Sequence, residues 1–193
     1  MVINGRDALK FKITVPPAQE PVTLDDVKTA LGIELTDTIY DDQISPWIPA
    51  AREWCEGYQN RAYITQTIEL AKDYWPYRDE IRLPRPPLQS VTAMAYMDST
   101  GTATTASAST YFVDNFSEPG FLVAYSAWPA GALRPANGVI VEYVAGYGDD
   151  PVDVPSLIRQ AITVLCMHWF NNGFCEPPDA VKSMLDLNRI IPI

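Results

Sequence analysis

The hydrophobic positions of this chain change their period twice. They recur every three to four residues up to about residue 60, every second residue from about 62 to 148, and every three to four again beyond 153. In the first stretch, Leu24, Val27 and Leu31 share one helical face. Thr23 stands where a cap would, Asp25 and Asp26 suit the positive end of a helix, and Gly32 suits its stop. Residues 11–17 before it read as an extended lead-in. A longer helix follows from Ile44, Trp47, Ile48, Ala51, Cys55 and Tyr58. Pro46 and Pro49 bear on where it begins, because proline is tolerated only in the first turn. The sequence therefore predicts Ser45 as its cap, residues 41–44 as a separate turn, and an end near Gln59 or Asn60.

The middle stretch predicts strands. Ile64, Gln66, Ile68 and Leu70 alternate with Thr65, Thr67 and Glu69, and Ile81 with Leu83 forms a short run stopped by Pro84-Arg85-Pro86-Pro87. Residues 91–97, 111–113, 121–125 and 138–144 complete roughly six strands separated by turn residues, which points to a small antiparallel sandwich or barrel. Residues 102–110 are only Ala, Ser and Thr and read as a flexible loop or weak edge strand. The helical period then returns. Pro155 starts a helix with Ile158, Ala161, Ile162, Leu165 and Trp169 on one face, ended by Asn171-Asn172-Gly173. A last short helix runs from 178 to about 188 with Val181, Met184 and Leu185 on one side.

Neither long amphipathic helix can cover its own stripe, so the economical fold packs them together. The fold class is α+β: a discontinuous helical bundle (residues 1–61 and 149–193) with an inserted small antiparallel β domain (62–148).

Composition narrows the function. The 193 residues are 47% hydrophobic and 20% charged, enough for a packed core. Lys and Arg number 14 against 24 Asp and Glu, a net charge of -10, which opposes binding to nucleic acid by counterion release. No apolar run is long enough to span a bilayer, and residues 1–10 lack the apolar core of a secretion signal. Three cysteines make no closed disulfide framework, and a single histidine excludes a multi-histidine metal or catalytic site.

The remaining chemistry is thin. His168 lies in an apolar helix, with no sequence motif supplying a nucleophile or an orienting carboxylate, and reads as structural. Cys55, Cys166 and Cys175 have no metal-ligand spacing with it, and Cys55 and Cys166 fall on or beside the two long helical stripes, where they would meet in the core. Asp149, Asp150 and Asp153 form the densest acidic cluster but lack the ligand order of a calcium loop. Gly146-Tyr147-Gly148 is not a phosphate loop. No catalytic, cofactor or metal residue is assigned.

The order of features is more specific than any one motif. Pro21-Val22-Thr23-Leu24-Asp25-Asp26-Val27-Lys28 is followed by a long helix ending Glu53-Trp54-Cys55-Glu56-Gly57-Tyr58. Later come Leu83-Pro84-Arg85-Pro86-Pro87-Leu88, then Val144-Ala145-Gly146-Tyr147-Gly148, then Val154-Pro155-Ser156-Leu157-Ile158. This series resembles the head–tail connector proteins of tailed bacteriophages (the adaptor or head-completion family), in the subfamily with a β insert also found in gene transfer agents. The resemblance implies a structural virion protein with no catalytic residues. It implies a ring of about twelve copies under the portal protein, extending the DNA conduit and giving a platform to the next neck or tail-completion protein. DNA would pass through without sequence-specific binding, no membrane would be involved, and the protein would sit in the host cytoplasm during assembly and in the virion neck afterwards. Family members commonly meet the portal through C-terminal segments, which implies a portal or subunit interface at Ala180, Val181, Met184, Leu185, Ile190, Ile191 and Ile193. An acidic conduit lining, which repels phosphates, agrees with the charge balance.

Two other roles are compatible with the residues. One is another neck position, a stopper or tail-completion protein. The other is a tail-associated glycan-binding or hydrolytic module, for which Asp73 and Asp79, flanking Tyr74-Trp75-Pro76-Tyr77, are the candidate carboxylates and Trp75 and Trp128 the candidate loop aromatics.

Overall fold

The computed structural model describes residues 10–191, and within it the chain divides into two compact units. One comprises Met1–Pro16 and Thr65–Gly146, the other Pro17–Ile64 and Tyr147–Ile193. The fold is α+β. The expectation that residues 1–10 carry no secretion signal falls almost wholly outside the described residues.

The helical unit contains α1 (Leu24–Leu31), α2 (Asp41–Ile44), α3 (Trp47–Gln59), α4 (Ser156–Asn172) and α5 (Asp179–Asp186). Thr23 caps α1 as expected, and a reciprocal bond not anticipated completes a capping box. The Asp26 N–H donates to Thr23 Oγ1, and the Thr23 N–H donates to Asp26 Oδ2. The Thr23 hydroxyl, which also donates to Asp26 Oδ2 at 2.7 Å, and then the Thr23 N–H hold the Asp26 carboxyl below its ordinary pKa. Gly32 ends the helix with φ 72, a conformation that costs glycine nothing. The start of α3 differs from expectation. Ser45 does not cap it; Ser45 closes α2 instead, its hydroxyl donating to Asp41 O at 2.7 Å. Pro46 takes the cap position of α3 without a side-chain bond, and Pro49 lies in the first turn, where its missing N–H has no helical partner to lose.

Helix α4 is the centre of this unit, packing on α1, α3 and α5. Its Ile158, Ile162, Leu165 and Trp169 are buried with Val27, Ile48, Val181 and Leu185. Each such side chain contributes about 1.5–3 kcal/mol relative to exposure. Cys55 and Cys166 lie in the same core. Burial, with each other's proximity for Cys55, pushes both thiols up, Cys166 to about 12. They are inert core residues.

Among the described residues the β unit holds eight strands rather than six. β1 (Lys10–Val15), β2 (Gln66–Lys72), β4 (Leu88–Met97), β5 (Ala103–Thr105) and β8 (Val139–Ala145) form one antiparallel sheet in the order β1-β2-β8-β4-β5. β3 (Glu80–Arg82), β6 (Tyr111–Asp114) and β7 (Phe121–Ala124) form a second, in the order β3-β7-β6. Among the described residues the first sheet is open at both edges, so these form two sheets and not a closed barrel. The expected lead-in is β1, pairing Lys10 with Ala71 through Ile13 with Ile68. This moves the N-terminal segment from the helical domain, where residues 1–61 had been grouped, into the sheet. The weak segment after Gly101 contains the short edge strand β5.

The stretch 83–88 and the glycine stretch at 146 are structural devices. Leu83 N–H bonds Gly120 O, Tyr143 Oη donates to Pro84 O at 2.7 Å, and Gly146 N–H bonds Pro87 O. The Arg85 guanidinium lies 5.4 Å from the centre of the Phe11 ring. Gly146 has φ 135, and a Cβ on Gly148 would collide with the Asp153 side chain, which accepts the Asp150 N–H.

Candidate functional site

The C-terminal segment is built onto the end of α3. That helix stops at Asn60, left-handed with φ 56, leaving its last carbonyls without helical partners. The segment after α5 supplies them. Arg189 Nε donates to Tyr58 O at 2.9 Å, and the Ile190 N–H to Gln59 O at 2.9 Å. In return Gln59 Nε2 donates to Leu185 O, Arg61 Nε to Asn188 O and Asn60 Nδ2 to Ile190 O. The Arg189 guanidinium covers the Tyr58 ring at 4.2 Å, and Tyr58 Oη donates to Asp186 Oδ1 at 2.8 Å.

This geometry divides the seven residues assigned to a portal or subunit interface. Val181 and Leu185 have no exposed surface, because they fill the core of their own unit. Met184 and Ile190 are half-buried, Ala180 is exposed, and Ile191 is 72% exposed. Ile193 lies outside the described residues. Of these residues only Ala180 and Ile191, with part of Met184 and Ile190, are therefore left at the surface.

A buried ionic chain supports this end of the unit. Arg52 donates to Glu20 Oε2 at 2.7 Å and to Glu56 Oε2 at 2.9 Å, and Glu56 Oε1 accepts the Tyr63 N–H. Tyr63 Oη donates to Gln59, the residue that holds Leu185 O. Burial works against the Arg52 charge, but the hydrogen bonds and charges of Glu20 and Glu56 outweigh it and hold its pKa above the ordinary value.

Charge is divided unevenly. The helical unit carries fifteen acidic and six basic residues, the β unit nine and eight. Nearly all of the net negative charge is therefore helical.

The other candidates resolve individually. His168 Nε2 lies 3.1 Å from Cys175 Sγ, a thiol neighbour that no motif signalled, and its Nδ1 is 3.3 Å from Asn172 Nδ2. Trp169 Nε1 donates to Cys175 O, and Phe174 packs on the Trp169 ring. The pair fastens the loop after α4 back onto that helix. Asp73 is an internal anchor. It pairs with Lys10 at 2.6 Å and accepts the Asn137 N–H, with its side chain 6% exposed. Trp75 and Trp128 stack on one another at 5.1 Å and 4°, so each covers a face a sugar would need. Asp150 and Asp153 cap the turn before α4. Among the described residues, no group of three His, Cys, Asp or Glu could hold a metal ion.

The sequence matches the family described as head completion protein over residues 20–178. No curated protein matches the sequence. Solved structures match in fold. A chain from the neck of an empty gene transfer agent (GTA) particle computed with C6 symmetry has a TM-score of 0.82 at 18% identity, covering 95% of this chain and 97% of that one. A chain from the virion of the native GTA particle has a TM-score of 0.78 at 19% identity, with 95% and 97% covered. One from the neck of the native GTA particle computed with C12 symmetry has a TM-score of 0.73 at 22% identity, with 96% of each chain covered.

Proposed function

We propose a role from one premise: the chain belongs to the head completion protein family. It acts as a structural component of the neck between a virus-like head and its tail. In this role it is an adaptor. Copies form a ring under the portal protein, extend the DNA conduit, and offer a platform to the next neck or tail-completion protein. The observation that carries the reading is the family match across residues 20–178. The likeness to chains from particle necks computed with C12 and C6 symmetry supports a ring.

The portal contact falls on the C-terminal segment, through Ala180, Ile190 and Ile191, with Met184 behind them. The hydrogen bonds to the end of α3 hold this segment in shape before a partner arrives, which lowers the ordering cost of docking. The acidic helical unit faces the conduit, where negative charge repels phosphate and lets DNA slide. No step of this role requires a catalytic group or a cofactor.

The test is to mix the chain with the portal ring encoded in the same genome, sediment the mixture and image the product. A ring of this protein stacked on the portal is the expected result, and its copies can be counted. No association with a well-assembled portal would move the protein to a stopper or tail-completion position lower in the neck.

A further inference from the structure

The outward side of β7, the middle strand of the β3-β7-β6 sheet, is apolar where a half-solvated antiparallel strand carries polar residues. Register sets Glu80, Val123 and Phe112 in one row across it, and Arg82, Phe121 and Asp114 in the next. Tyr125 follows at the end of β7, 67% exposed, with its ring 5.6 Å from that of Phe112, itself 42% exposed. The inward side of the same strands is already filled by Ile81, Tyr111, Leu122 and Ala124. The middle strand is thus apolar on both sides. Among the described residues its outer stripe is not buried within the chain.

We infer that this face, Phe112, Phe121, Val123 and Tyr125, is the surface by which one copy of the chain docks against a second copy. Charge selects that occupant. A copy-to-copy contact through the helical units would set fifteen acids and six bases against the same excess on the neighbour. The β unit, with nine acids and eight bases, carries almost no such repulsion. The rim of the face also holds both signs, Arg82 and Asp114 flanking Phe121 and Glu80 beside Val123. An aromatic centre with a mixed polar rim is the usual anatomy of a protein interface. The inference rests on the neck reading, in which copies stand side by side in a ring.

The test uses the full chain with the portal ring, and three chains: wild type, Val123→Glu and Ile39→Glu. Val123 lies on the outer face and not in the core, so its variant should melt like wild type, and this is checked first. Val123→Glu is expected to raise the concentration needed for ring assembly by about tenfold or more, because a charge is forced into the contact. Ile39→Glu, a like change at a 78% exposed site of the helical unit, should leave assembly within about twofold of wild type. Independently of any variant, hydrogen exchange on wild type should slow across 111–125 when the isolated chain enters the ring. Rings from Val123→Glu at the wild-type concentration, with unchanged exchange across 111–125, would overturn the inference and leave the neck role intact. Normal rings that lack a different particle protein would overturn it in favour of that protein as occupant. Protection of 111–125 already present in the isolated chain and removed by deleting residues 1–9 would overturn it in favour of the chain's own N-terminal segment. Failure of wild type to assemble on the portal would sink the neck role and this inference together.

Discussion

The two units carry charge and exposed aromatic rings by opposite rules. The helical unit packs one buried cluster around α4, carries nearly all the net charge of the chain, and leaves mainly aliphatic side chains such as Ile39, Leu187 and Ile191 in solvent. The β unit is close to neutral, yet leaves Phe112, Phe116, Tyr77 and Tyr125 in solvent. A chain selected only for stability would bury those rings and disperse those acids. The division is what the neck role proposed above asks for, in which a chain repels DNA and adheres to its neighbours. Like charge on one unit discourages sticking, and apolar surface on the other provides adhesion without working against that charge.

The comparison is tested hardest where the helical unit departs from its own rule, at the buried ions. Glu56→Leu leaves Arg52 buried with Glu20 as its remaining close buried-side partner and removes the acceptor of the Tyr63 N–H. A loss of about 3–5 kcal/mol in unfolding free energy is expected from breaking a buried pair on one side, measured by denaturant unfolding. A loss below about 1 kcal/mol, the range of exposed pairs, would mean the pair is solvated and the unit is less dry than its geometry implies.

In the β unit the corresponding weak point is steric. A Cβ on Gly120 would sit 2.5 Å from Leu88 Cδ2 and 2.9 Å from Asp114 O. Gly120→Ala should therefore cost about 1–3 kcal/mol through overpacking. A neutral outcome by thermal melting would mean that the turn before β7 can shift, and with it the row that holds Phe121.

Much of this was legible in the sequence, for reasons that differ by region. Helices α1, α3 and α4 could be placed because a 3.6-residue period, a capping threonine, two glycines and a proline at a helix start are local signals. Ser45 differs from its expected role because a serine before a proline-containing helix looks like a cap from either side. Only the fold decides that its hydroxyl closes α2. β1 went unrecognised as a strand because its partner β2 begins at Gln66, and such pairing leaves no local trace. The C-terminal segment was half legible. Apolar spacing identified Val181 and Leu185 but could not separate a stripe facing its own core from one facing a partner. The outer face of β7 had a signal that went unused: Phe121-Leu122-Val123-Ala124-Tyr125 is continuously apolar where a half-exposed strand should alternate. The contact of His168 with Cys175 had none, since it depends on how the loop after α4 turns back.

A smaller effect compares the two units directly. Glu34→Gln with Asp42→Asn neutralises two exposed acids of the helical unit, and Asp79→Asn with Glu118→Gln does the same in the β unit. If the helical unit faces the conduit, the first pair should slow DNA release from assembled particles, most visibly at low salt, where charge is least screened. The second pair should leave release unchanged. Equal rates from both pairs would remove the functional meaning of the charge division.

The smallest expected effect is local and set by pH. The hydrogen bond to Asp186, chiefly, raises the pKa of Tyr58 above its ordinary value of 10.0. A group whose pKa is raised by folding lends its stabilisation fully below the unfolded value and loses it as pH climbs through the folded one. The phenol must keep its proton to donate, so the tether weakens only above pH 10. Its sign is opposite to that of Asp26, whose lowered carboxyl lends stability above its unfolded pKa and loses it on acidification. Local exchange over residues 186–190 is the appropriate readout, because the bond lies at the surface and overall melting will barely register it. Raising pH past 10 should speed that exchange beyond the intrinsic base-catalysed rate in wild type, and Tyr58→Phe should show the faster exchange already at neutral pH with no further step. If Tyr58→Phe matches wild type at neutral pH, the hydrogen bonds from the Arg61, Asn60, Gln59 and Arg189 side chains and the Ile190 N–H hold the segment without the phenol. The C-terminal segment would then be fixed by the end of α3 and not by its aromatic side chain.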